Sequence, residues 1–175
     1  MVLDVLQGLV DKKTLRWSED KRVEARVAAC GEDAALVKPE TFVNETGRTA
    51  VKLGSVYGAG PERLLFVCDD ANLDLGKIRF RREGGAGGHH GLESVIALLG
   101  TESFPRLRVG IRGPQMPEEL PDFVLGRFSK EETARLEAVL DRAARVCQEW
   151  VHEGFEAAQT LLSRLQSVKQ EEKER

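Results

Sequence analysis

LLFVC at residues 64–68 is a continuous apolar run that stops abruptly at Asp69-Asp70. Such a run suits a strand buried on both faces, as in an α/β sheet, since a half-exposed strand would alternate apolar with polar residues. Its neighbours do alternate. KIRFRR at 77–82 and RVEARVAAC at 22–30 read as half-buried strands, and RLRVGIR at 106–112 reads as a further strand. After GED, the run AALVKP at 34–39 reads as a hairpin partner of 22–30, ended by Pro39.

Between these strands the period changes. Residues 1–9, MVLDVLQGL, carry apolar residues at 2, 3, 6 and 9, which is helical spacing. No Ser, Thr, Asp or Asn precedes that helix as an N-cap. TFVNETG at 41–47 is a loop leading into a short helix at about 48–57. GGAGGHHG at 84–91 is a flexible loop, followed by LESVIALLG at 92–100 as a helix closed by its glycine. FVLGRF at 123–128 is a short apolar element. Ser129 and Glu132 form a capping box. Beyond it Leu136, Val139, Leu140, Ala143, Cys147, Trp150 and Val151 recur at helical spacing, Gly154 interrupts, and Phe155, Ala158, Leu161, Leu162 and Leu165 continue a second amphipathic helix. The architecture expected is α/β, with a mixed twisted sheet flanked by helices. It is read as a single domain over residues 1–166 with a charged, disordered tail at 167–175.

Composition agrees with a globular chain. Of 175 residues, 41% are hydrophobic and 31% charged, outside the range of disordered chains. No apolar run approaches the roughly 20 residues that span a bilayer. The N-terminus puts an acid early and its cations late, unlike a signal peptide, so a cytoplasmic location is expected. Cys30, Cys68 and Cys147 are odd in number and far apart, which supports neither a disulfide framework nor a zinc site; they read as small buried thiols. A net charge of −3 does not announce a nucleic-acid binder. Yet Arg79, Arg81 and Arg82 cluster, as do Arg106, Arg108 and Arg112, while acids gather in 117–141 and in the tail. That distribution fits either a local basic face or a solvated strand face.

Four features bear on chemistry. The loop at 84–91 has no Lys-Ser or Lys-Thr after it and no GxGxxG register, so it is not a standard phosphate loop. It offers backbone that can approach a ligand, with His89 and His90 at its end. Asp69 and Asp70 sit where an α/β sheet gathers ligands, and an acid there commonly orients a histidine, although the pair also reads as an N-cap or a turn, Asp-Asp-Ala-Asn being good turn chemistry. Asn44 presents a donor and an acceptor able to hold a water or a carbonyl oxygen, or simply to cap a loop. A metal at the two aspartates is disfavoured, because spacing fixes no third ligand nearby.

Taken in order, KPETFVNETG, FVCDDANLDLGKIRFR, GGAGGHHGLESVIALLGTESFPRLRVGI and FVLGRFSKEE resemble the bacterial-type peptidyl-tRNA hydrolases over about residues 1–160. The resemblance implies cleavage of the ester between a peptide and the terminal ribose of tRNA, with peptidyl-tRNA as partner, no metal or organic cofactor, and a monomer. It further implies that Asn44 contacts substrate and attacking water, that Phe42 lies in the binding cleft, and that Asp69 holds the catalytic histidine in its basic form. His89 would support the cleft, and Arg79, Arg81 and Arg108 would meet tRNA phosphates, a role that suits guanidinium forks. His90 stands where the family has the asparagine of G-G-H-N-G, and one neutral ring nitrogen cannot both donate and accept.

In the family a first strand, a G-N-P-G loop and a T-R-H-N string precede the helix that corresponds to residues 1–9, and the histidine of that string is the general base. The resemblance therefore implies a fold lacking the family's first strand and a recorded start that is too late. Two other readings compete: a catalytically inactive relative that binds RNA, and a hydrolase in which His89 or His90 has become the base.

Overall fold

The computed structural model describes residues 1–10, 15–113, 126 and 128–171, with the side chains of 168–171 excepted. The chain divides into two compact units. One comprises Met1–Leu9, Val67–Phe80 and Leu107–Arg175, the other Val10–Phe66 and Arg81–Arg106.

The first unit holds all but the end residues Phe66, Arg81 and Arg106 of strands β4 (Phe66–Asp74), β5 (Ile78–Arg81) and β6 (Arg106–Arg112), which lie in the order β4-β6-β5. The Phe66 amide donates to the Pro105 carbonyl and the Leu75 amide to that of Arg112, so β4 and β6 run parallel. The central strand is therefore β6, and all its residues but the last are buried. This is the strand covered on both faces. LLFVC is only half-buried, and β4 does not stop at Asp69-Asp70 but continues to Asp74. Two things make the longer strand tolerable. β6 supplies a backbone partner as far as Arg112, and Arg108 of β6 neutralises Asp70. Gly110 is required where β6 passes β4, because any Cβ there would strike the carbonyls of Leu73 and Asp74.

Strand β5 alternates as expected, with Ile78 and Phe80 buried and Arg79 and Arg81 exposed. The helix at the N-terminus, α1 (Val2–Val10), buries Val2 and Leu6. The C-terminal helix α4 (Lys130–Glu171) begins with the expected capping box. The Ser129 amide donates to Glu132 Oε2 (2.9 Å), and the Glu132 amide to Ser129 Oγ (3.2 Å). Leu136, Val139, Leu140, Ala143 and Cys147 form its buried stripe, whereas Val151 is exposed. Gly154, at φ 84°, breaks the helix into two segments, a conformation that L-residues resist. Beyond the break, Phe155 stacks on Phe80 with centroids 4.5 Å apart, and Gln166 donates to the Ile78 carbonyl. Arg135 and Arg142 donate to the carbonyls of Leu75 and Gly76 in the turn before β5. Burial pushes the Cys147 thiol up to about 12, which makes it inert near neutrality. Cys30 and Cys68 are half-buried rather than fully buried. Of the tail expected at 167–175, the helix covers residues to Glu171 and the rest lies outside the described residues. So do Phe123, Val124, Leu125 and Arg127 of FVLGRF.

The second unit carries the antiparallel sheet β1 (Ser18–Asp20), β2 (Ala25–Cys30) and β3 (Ala34–Pro39). The β2–β3 hairpin pairs Cys30 with Ala34 and Ala25 with Pro39. Residues 22–24, expected to begin β2, are instead a turn, in which the Arg22 and Val23 amides donate to Asp20 and Glu24 takes φ 53°. β1 went unread because Ser-Glu-Asp has no apolar alternation. Helix α2 (Thr46–Tyr57) is tied to this sheet by Glu24, which meets Arg48 and Lys52 at 2.7 Å each. It is tied again by Tyr57, whose hydroxyl donates to Asp20. The Arg22 fork, with the Tyr57 hydroxyl beside it, holds the Asp20 carboxyl well below the usual carboxylate range. Helix α3 (His90–Leu99) ends at Gly100 in the left-handed conformation expected of a C-cap.

Candidate functional site

Within the second unit, the chain leaving β3 makes one 3₁₀ turn over Val43–Glu45 before α2 begins. The Glu45 amide donates to the Phe42 carbonyl (2.9 Å) and Thr46 Oγ1 to that of Val43 (2.7 Å). This closes the backbone on itself and turns the side chains of Phe42, Val43 and Asn44 outward. Phe42 is 80% exposed and Val43 58%. Neither side chain therefore contributes to the core.

The same turn lies against the start of α3. The Gly47 amide donates to Ser94 Oγ at 3.1 Å, and any side chain on Gly47 would collide with the Ser94 carbonyl. Gly91 has the same function on the other side. A Cβ there would fall 2.8 Å from His89 Cε1 and 3.2 Å from the Val43 carbonyl oxygen. The His89 ring and the Val43–Glu45 backbone thus flank one spot. His89 is the N-cap of α3, its Nδ1 accepting from the Leu92 amide at 3.2 Å. That bond puts the proton of the neutral ring on Nε2, which fixes both tautomer and orientation. His90 is exposed, with Nδ1 2.9 Å from Glu93 Oε2. Phe42, Asn44, His89 and His90 are therefore brought into one unit. His89→Ala is expected to cost about 1 kcal/mol of unfolding free energy through loss of the cap, and His89→Asn much less. Urea denaturation of the two variants measures the difference, and equal stabilities would remove the cap from the account.

Asp69, Asp70 and Arg108 belong to the first unit. Alternation along β4 sends Asp69 and Asp70 to opposite faces of the strand. Asp69 is half-buried. Asp70 is buried, accepts from the Asn72 amide (2.9 Å) and pairs with Arg108 at 3.1 Å. Arg108 is the departure from expectation. Its guanidinium is turned inward onto a buried carboxylate, not outward toward phosphates. Arg106 is buried as well, so the basic face read from RLRVGIR does not form, and Arg112 pairs with Asp74. Arg79 and Arg81 remain exposed.

Sequence reasoning missed Gly47, Gly91, Ser94 and Glu93, which set the geometry around Asn44 and the histidines. Close approach of two backbones leaves no periodic trace, although glycines beside functional strings were a signal for it. Among the described residues, no group of three or more His, Cys, Asp or Glu could hold a metal ion.

The α/β fold brings an asparagine, a phenylalanine and two histidines together in its second unit. The sequence profile of the family described as peptidyl-tRNA hydrolase matches residues 1–173. The peptidyl-tRNA hydrolase of Desulfitobacterium hafniense (strain Y51) is 42% identical over 134 residues, covering 77% of this chain and 72% of that one. That of Roseiflexus sp. (strain RS-1) is 38% identical over 163 residues, covering 91% and 75%. The crystal structure of peptidyl-tRNA hydrolase from Acinetobacter baumannii superposes with a TM-score of 0.80 at 25% identity, covering 91% of this chain and 83% of that one. The chain belongs to the peptidyl-tRNA hydrolase family.

Proposed function

We propose that this chain hydrolyses the ester joining a peptide to the terminal ribose of tRNA. The observation that carries the reading is the grouping of Phe42, Asn44 and His89 on an open surface, in a chain whose family match spans residues 1–173. The chemistry needs a base for water, a donor for the developing oxyanion, and a means of holding a polyanion. The base that the family resemblance implies is a histidine imidazole.

Asp69 accepts the imidazole N–H, which keeps the opposite nitrogen basic and stabilises the imidazolium formed when water gives up its proton. The hydroxide equivalent attacks the ester carbonyl. The Asn44 amide donates to the oxygen on which charge develops, and the tetrahedral intermediate collapses with release of the peptide carboxylate. The imidazolium returns its proton to the departing ribose oxygen. Phe42 offers an apolar face at the lip, His89 supports it, and His90 contacts substrate in the place of an asparagine. Arg79 and Arg81, exposed on β5, meet tRNA phosphates.

N-blocked aminoacyl-tRNA should be cleaved to free tRNA, and an otherwise intact chain without turnover on it sinks the proposal. Arg81→Ala should weaken tRNA binding and reduce the slope of log affinity against log salt by about 1. An unchanged slope in a salt titration would remove Arg81 from the interface.

A further inference from the structure

Arg106 is 1% exposed, the largest fully buried side chain among the described residues. A guanidinium removed from water is costly unless its donors are met. Here they meet backbone carbonyls. Nη1 donates to Gly84 and, at 3.4 Å, to Gly85; Nη2 donates to Glu102 (2.6 Å) and Phe104 (3.3 Å); Nε donates to Phe104 (3.3 Å). The guanidinium carbon lies 3.9 Å from the Phe104 ring centroid, where the ring face attracts the cation. The ring in turn packs edge-on to Phe66, with centroids 4.8 Å apart.

These acceptors are the two ends of one excursion of the chain. Gly84 and Gly85 open the glycine-rich loop that leads to His89 and α3, and Glu102 and Phe104 lie just past the end of α3. The Gly84 amide also donates to the Glu102 carbonyl at 3.3 Å. Gly84, Gly87 and Gly88 all take positive φ, so the loop's own backbone is permissive and does not select one path. A planar fork with five donors can span several carbonyls at once, which a lysine ammonium cannot do in the same geometry.

We infer that Arg106 is a positioning residue: from beneath, it clamps the root of the 84–88 loop and so sets where His89 and His90 meet substrate. The inference rests on the proposed role of those histidines. Arg106 touches no substrate, and its effect travels through the loop backbone alone.

The test pairs amide hydrogen exchange with binding. In Arg106→Lys, exchange at residues 84–89 is expected to rise about tenfold or more while the β2–β3 hairpin and α2 keep their protection, because loss of a local clamp opens locally. Affinity for a tRNA acceptor-stem minihelix carrying a non-hydrolysable peptidyl amide should fall about tenfold, which corresponds to about 1.4 kcal/mol. If Arg106→Lys fails to fold, Phe104→Leu removes the ring beneath the guanidinium, leaves the carbonyls in place, and should give the same pattern to a smaller degree. Loop amides that keep their protection would overturn the clamp. A loosened loop with unchanged affinity would overturn its role in presenting the histidines. Should the unsubstituted chain not bind the minihelix, the functional reading falls and that role with it, while exchange at 84–89 still decides whether Arg106 holds the loop.

Discussion

Arg108→Ala is expected to lower the unfolding free energy by about 3–5 kcal/mol, the range found when one partner of a buried ion pair is removed. The side chains of Arg108 and Asp70 are 9% and 2% exposed, and they lie on neighbouring parallel strands. Removing the guanidinium leaves a carboxylate inside the sheet with the Asn72 amide as a remaining donor. An uncompensated buried charge must either be protonated or draw in water, and both weaken the fold. Arg108→Met fills more of the space but leaves the same charge, so it should be nearly as damaging. The double change Arg108→Met with Asp70→Leu removes both charges and should recover much of the loss. Guanidinium denaturation reads all three. If Arg108→Ala costs less than about 1 kcal/mol, the pair is solvated in solution, and Arg108 returns to the arginines able to turn toward phosphates.

That pair also marks the limit of what periodicity reveals. The hairpin at 25–39, the alternation of β5, the glycine closing α3, and the capping box and break in α4 were legible because each follows from local rules: a period, a cap residue, a turn. What was misread depended on a partner far away in the chain. Asp-Asp-Ala-Asn reads locally as a turn, but β6 draws it into strand β4 because Arg108 lies opposite Asp70. RLRVGIR reads as a half-solvated strand because arginine is seldom buried. Its position between β4 and β5 buries both Arg106 and Arg108. In the candidate site of the second unit, Asn44 and His89 stand in distinctive strings. Their setting was not legible. That Gly91 leaves room for the His89 ring beside the Val43 carbonyl is a fact about two segments almost fifty positions apart.

The sharpest separation of chemistry from stability is expected between Asp69 and Asp70, adjacent in sequence and opposite in facing. Asp69→Asn should lower kcat for peptidyl-tRNA hydrolysis by about 10²–10⁴. Asparagine keeps the size of aspartate, but it cannot balance the charge of an imidazolium. Its NH₂ can also face the ring and favour the tautomer in which the nitrogen directed at water is already protonated. The loss therefore belongs to the transition state, and KM should change little. Asp69 is only half-buried, so the melting temperature should move less than it does for its neighbour. Asp70→Asn should behave in the opposite sense. It weakens the bond to the buried Arg108 and lowers the melting temperature, yet below that temperature kcat stays within a few-fold of the parent. The comparison requires both variants at one temperature where circular dichroism shows them folded. If Asp69→Asn retains kcat within about threefold, the aspartate does not orient a base. A common loss of kcat in both variants would mean that the carboxylates act on the sheet, and that the resemblance misassigns Asp69.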